Sequence, residues 1–174
     1  SALGSLLSHT FLIEERSQGR AVYRLAGSSI FDLFSRELRG QDWLTLFDDE
    51  ARPLMDQAAS AVFDDMEMAL IGAEARTTRF RQVPLEILLL PLATRPGEPA
   101  QALGSLLPCD QPYWLGAQPL VEIAVRRVEL VRPGGESPLG AATQDSFAGH
   151  FMPALEGPIR RLRHLALYLG GRGA

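Results

Sequence analysis

Val83-Pro84-Leu85-Glu86-Ile87-Leu88-Leu89-Leu90-Pro91-Leu92 is the stretch on which the fold turns. With the two-residue period of a strand, it puts Leu85, Ile87 and Leu89 on one face and Leu88, Leu90 and Leu92 on the other. A single-layer sheet with one wet face is not written this way, so something must cover the second face. Pro91 already interrupts the longest apolar run, Ile87 to Leu92, so no transmembrane segment is expected.

Outward from this strand, the other elements follow from period and punctuation. His9 to Ile13 and Ala21 to Leu25 are short β-prone runs separated by Arg16-Ser17-Gln18-Gly19-Arg20, a hairpin-like break. Ser28 or Ser29 is placed to cap a helix carrying Ile30, Phe31, Leu33, Phe34 and Leu38, stopped by Gly40. Asp42 suits the cap of a short turn through Trp43, Leu44 and Phe47. Asp48-Asp49-Glu50 then precede a longer helix whose Leu54, Ala58, Ala61 and Val62 share one stripe. A closing meander begins with Met66 to Ala75 and Val83 to Leu92, with Ala102 to Leu107 a short strand and Leu120 to Val131 the last. A hairpin, a helical connection and a closing antiparallel meander predict an α+β domain, a five-stranded antiparallel sheet with helices on one face.

Composition bounds the function. The 174 residues carry 46% hydrophobic and 22% charged side chains, ordinary for one folded core. With 21 acids against 17 bases the net charge is −4, which gives no global drive toward nucleic acid. A single cysteine, Cys109, excludes an intrachain disulfide framework. Every base is arginine, asparagine is absent, and Leu outnumbers Ile by 28 to 6, a pattern of GC-rich bacterial coding and not of chemistry. No secretory signal is legible, and the opening on Ser1 fits a trimmed native start; the expected location is cytoplasmic.

The chain changes character after Val131. Residues 1–131 hold 12 arginines and 18 acids, whereas 132–174 hold 5 and 3. Pro133-Gly134-Gly135-Glu136-Ser137-Pro138 opens a linker over 132–156. Within 157–174, Pro158 followed by Ile159, Leu162, Leu165, Ala166 and Leu169 predicts an amphipathic C-terminal helix ended by Gly170-Gly171. This helix, or the same surface of a second subunit, is the expected cover for the outer sheet face.

Several motifs together resemble a known family. Tyr23-Arg24-Leu25-Ala26-Gly27, Phe34-Ser35-Arg36-Glu37-Leu38-Arg39-Gly40, Leu88-Leu89-Leu90-Pro91-Leu92, Leu103-Gly104-Ser105-Leu106 and Trp114-Leu115-Gly116 are similar to compact PAS-like proteins common in alphaproteobacteria. The resemblance covers about residues 7–131. It implies a sensory or protein-interaction module, commonly with a small cavity between helices and sheet, and it names no ligand or cofactor.

No enzyme signature is present. No two histidines stand at i, i+4, so there is no helical metal pair; His9 reads as a strand-end residue and not a haem ligand. Cys109 reads as a buried inert thiol. Gly104-Ser105-Leu106 lacks the second glycine of a nucleophile elbow, and the acidic clusters lack the alternating ligands of a divalent-ion loop. No metal site is expected. The candidate ligand-binding residues are Phe31, Phe34, Trp43, Phe47 and Phe63 from the helical segment, with Arg24 and Glu86 as polar groups in apolar strands. Facing inward, Arg24 and Glu86 would pair or hold the polar end of an apolar small molecule; at strand margins, Arg24 would snorkel to water.

Three functions fit these residues. The first is a signalling module, acting through a small apolar ligand, a protein partner or a homodimer, with no catalytic output of its own. The second is a small-molecule carrier or enzyme on a cavity-bearing fold, and the third a structural dimerisation domain with a filled core.

Overall fold

The computed structural model describes residues 7–16 and 19–132, and the backbone of 160–162 and 165–170. The first two β-prone runs pair as a hairpin, β1 (Thr10–Glu15) with β2 (Ala21–Ala26). All four later runs become strands: β3 (Met68–Thr77), β4 (Gln82–Leu92), β5 (Gln101–Pro108) and β6 (Leu120–Val131). They lie in the order β2-β1-β5-β4-β3-β6, each neighbour antiparallel. The expected five-stranded sheet is thus present as β2-β1-β5-β4-β3, β6 joins it as a sixth antiparallel strand, and two C-terminal strands described below extend it to eight. β6 pairs with β3 from Met68↔Val131 to Thr77↔Leu120, closing an edge that would otherwise leave backbone donors and acceptors unpaired.

The helical connection is α1 (Ser28–Phe34), a 3-10 turn (Trp43–Leu46) and α2 (Arg52–Asp64). These elements pack on one face of the sheet. There Val83, Leu85, Ile87 and Leu89 of β4 are all fully buried, as the period-two reading requires. α1 is shorter than its apolar spacing suggests. It ends at Ser35, which turns left-handed at φ 50, so Leu38 reaches the core from the following loop and Gly40 serves a separate turn. Its cap is also Gly27 and not a serine; Ser29 spends its hydroxyl on Ser8 instead. A Cβ on Gly27 would sit 2.2 Å from the Ser8 carbonyl oxygen, so only glycine fits there.

On the other face, Leu88, Leu90 and Leu92 are half-buried. The register sets Leu25, Leu12, Leu103 and Leu90 side by side across β2, β1, β5 and β4, and Leu88 beside Leu70 of β3.

The C-terminal helix expected over 157–174 is not what the described residues form. β7 (Arg160–Leu162) and β8 (Leu165–Gly170) are strands, with β8 parallel to β6 and β7 antiparallel to β8. The physical reason is that Leu165-Ala166-Leu167-Tyr168-Leu169 is apolar at every step, so a strand satisfies it as well as a helix does. The free edge of β6 supplies the pairing from Arg127 to Val131. Residues 133–159, 163–164 and 171–174, including most of the expected linker, lie outside the described residues. At the exit from β6, Arg132 Nε donates to the carboxylate of Glu67, buried just before β3.

Candidate functional site

The helical connection is positioned by backbone and carboxylate bonds. Gly40 N–H donates to Tyr23 O at 2.7 Å and Tyr23 N–H to Gln41 O at 2.9 Å, lacing the chain after α1 to β2. Asp42 caps the 3-10 turn, accepting from Leu44 N–H at 2.9 Å, while its second oxygen accepts from Arg20 Nη2 at 2.6 Å. Asp48 accepts from Ala51 N–H at 2.8 Å and donates its own N–H to Ile123 O at 3.0 Å, which ties the approach to α2 onto β6.

This lacing drives Trp43 into the space between helices and sheet. Its ring centroid lies 4.9 Å from Phe47, 5.7 Å from Phe11 and 5.9 Å from Tyr23, and Phe11 meets Tyr23 edge-on at 5.6 Å. All four rings are fully buried, and Trp43 Nε1 donates to Met55 O at 3.4 Å. Such offset and edge contacts add to area burial by about 0.5–1.5 kcal/mol per pair. Burial holds the Tyr23 phenol far above its ordinary range, so it is neutral and cannot act as a base near neutral pH.

The sequence-predicted residues divide between this cluster and the surface. Phe34, Trp43 and Phe47 are buried together in the core, and Phe63 is partly buried against it. Phe31, on the far side of α1, is 49% exposed. Arg24 and Glu86 are both exposed and do not pair with each other. Arg24 is the extra residue of a bulge, because the register steps from Leu12↔Leu25 to Ile13↔Tyr23. Glu86 stands on the outer face between Leu107 and Gly72. Cys109 is exposed and not buried as expected. Even so, desolvation and the charges of Glu86 and Asp110 push its thiol above the ordinary value, which disfavours the reactive thiolate.

Arg24 instead serves Glu14, which the residue pattern does not single out. This carboxylate is almost wholly buried, accepting from Arg24 and from Gln101 Nε2 at 3.0 Å, with Arg16 Nη2 at 3.2 Å. Burial alone would raise its pKa, but the hydrogen bonds from Arg24 and Gln101 and the charges of Arg24 and Arg16 outweigh it, and the net direction is down from 4.5. A depressed acid stabilises the folded state fully above its unfolded pKa, and that contribution is lost as pH falls through the folded value. Urea titrations from pH 6 to pH 3 are therefore expected to show a fall in stability below about pH 4.5 that is shallower in Glu14→Gln. Equal slopes in the two proteins would show that Glu14 contributes nothing to acid sensitivity.

Among the described residues, no group of three or more His, Cys, Asp or Glu is placed to hold a metal ion, and no helix is long and apolar enough to cross a membrane. The aromatic cluster supplies apolar packing and one neutral hydroxyl. That chemistry suits a rigid core or an apolar ligand.

Among solved structures, the chain is similar to the PAS domain of a protein from Colwellia psychrerythraea. The identity is 13%, over 62% of this chain and 93% of that one, with a TM-score of 0.42. No curated protein matches it. A family model described as a PAS domain matches residues 1–107, more than half of the chain, a span that runs from β1 through the helical connection into β5. The protein belongs to the PAS domain family.

Proposed function

We propose that the protein is a signalling module that works by docking protein, a second copy of itself first, through the outer face of its sheet, with no catalytic output of its own. Membership in a family of sensory and signalling modules, typically non-catalytic, supports the general class. The observation that carries the docking reading is the leucine row on the outer face. Leu25 is 50% exposed and Leu103 and Leu107 are 36% exposed, beside half-buried Leu12, Leu70, Leu88 and Leu90. A contiguous apolar surface of this kind is costly in water and marks a site of association. A two-fold dimer buries the same patch on both subunits.

A second reading, a small apolar ligand held at the helix–sheet interface, draws on the gathering of Phe34, Trp43, Phe47 and Phe63. In that reading Arg24, Phe31 and Glu86 would act from the surface.

One experiment addresses both readings. Native mass spectrometry and light scattering of the intact protein at tens of micromolar are expected to give a dimer without an adduct. The paired outer-face variant Leu90→Glu with Leu103→Glu is expected to give a monomer with unchanged circular dichroism. A monomeric wild type, or a variant that keeps the dimer mass, overturns the docking reading. A co-purified small molecule supports the second.

A further inference from the structure

A separate surface lies at one end of the sheet, away from the leucine row. It is built from the β3–β4 hairpin, residues 78–81, and the loop between β5 and β6. Both loops open at the same end, because Leu120 faces Thr77 in the register and Cys109 N–H donates to Pro84 O.

The hairpin spends backbone strain on displaying a ring. Phe80 N–H donates to Thr77 O at 3.0 Å and Thr77 N–H to Arg81 O at 2.9 Å, while the Thr77 hydroxyl accepts from the N–H groups of Arg79 and Arg81. This is a tight turn closed by a left-handed residue, a position that favours glycine or asparagine. Here it is Phe80, at φ 59 and 80% exposed. Neither folding nor solubility favours an aromatic ring there.

Beside it, Tyr113 is 88% exposed and Trp114 lies buried beneath. The Arg81 guanidinium stands 5.3 Å from the Tyr113 ring centroid and 6.0 Å from that of Trp114, and it donates to the Tyr113 hydroxyl at 3.0 Å. Arg79 is exposed, and neither Arg79 nor Arg81 has a carboxylate partner among the described residues, although the chain carries an excess of acids.

Rigid aromatic rings with arginines are the residues that dominate protein interfaces. We infer that Arg79, Phe80, Arg81 and Tyr113 form a docking site for a peptide segment of a partner protein that carries acidic side chains flanking an apolar one. Arg79 and Arg81, neither with a carboxylate partner among the described residues, set the charge of the partner, and the Phe80 and Tyr113 rings set its apolar contact. A single-stranded nucleic acid also stacks on rings, but it needs a charged groove that tracks its backbone; among the described residues this surface offers Arg79 and Arg81, while Arg76 beside the hairpin is already paired with Glu122.

Because Phe80 is strained, the test separates binding from folding. Phe80→Gly relieves the left-handed residue and is expected to melt at or above the wild-type temperature. A phage-displayed library of random twelve-residue peptides is panned on the intact protein, and enriched peptides are measured by fluorescence anisotropy. The expected peptides carry two or more acids around an aliphatic or aromatic residue. They are expected to bind at least tenfold more weakly to Phe80→Gly and to Arg79→Ala, and more weakly as salt rises. Failure to enrich peptides, peptides without acids, equal binding by Phe80→Gly, or tighter binding of a ten-nucleotide oligothymidylate each overturns the assignment. Repeating the titration on the Leu90→Glu, Leu103→Glu protein keeps this site distinct from the outer face, so that either proposal can fail alone.

Discussion

Trp43→Ala is expected to lower stability by about 3–5 kcal/mol, the range for truncating a fully buried aromatic ring. Domains of this size have total stabilities of about 5–15 kcal/mol, so the variant should sit near its unfolding threshold. Trp43 touches Phe11, Tyr23 and Phe47, which belong to two strands and the end of the 3-10 turn, and its indole N–H satisfies the Met55 carbonyl of α2. Removing it leaves a cavity bounded by elements laced down on every side, which cannot easily collapse. The measurement is the urea midpoint at constant denaturant slope. A loss under about 1.5 kcal/mol would mean that the cluster relaxes into the gap and does not hold the helices to the sheet.

The second large effect works by crowding. Gly104→Ala is expected to cost about 1–3 kcal/mol, because a Cβ there would meet the Phe11 ring at 2.1 Å, far inside contact distance. Gly104 and Phe11 face each other across β5 and β1, and the ring is buried with no room to swing aside. The glycine is therefore the floor on which Phe11 lies, and Phe11 in turn supports Trp43. In a Phe11→Leu background, Gly104→Ala should cost less than half as much, since the shorter side chain vacates the clash. A double-mutant cycle on thermal or urea unfolding reads this directly, and additive losses would place the strain elsewhere.

Much of this arrangement is legible in the residues alone. The alternation in Val83–Leu92 assigns both faces of β4 correctly, and Asp42 announces the cap that sets Trp43 inward. What is not legible depends on register and on long-range pairing. The bulge at Arg24 is invisible to a two-residue period, so nothing in the strand pattern says that Arg24 meets Glu14 and not Glu86. Glu14 and Glu15 stand side by side in the sequence, and the groups that gather on Glu14, Arg24 from the bulge and Gln101 from β5, arrive only with the fold. The run Leu165–Leu169 is apolar at every step and so fits a strand as well as a helix, and the open edge of β6 selects the strand. Phe80 is missed because a left-handed backbone leaves no trace in hydropathy. A phenylalanine at a hairpin position that calls for glycine was the one available sign.

The family match ends at Leu107, within β5, yet the folded body does not. β6 lines the core with Ile123, Val125 and Val128, accepts the Asp48 N–H on Ile123, and leads directly into Arg132, which pairs with Glu67. Inheritance and physics therefore draw the border of the module about one strand apart. A piece moved into another protein, by recombination or by design, has to carry the chain as far as Arg132 for its ladder to close. Cut at Leu107, it would expose β3 as an open edge opposite β2, receptive to any foreign strand able to stand in for β6.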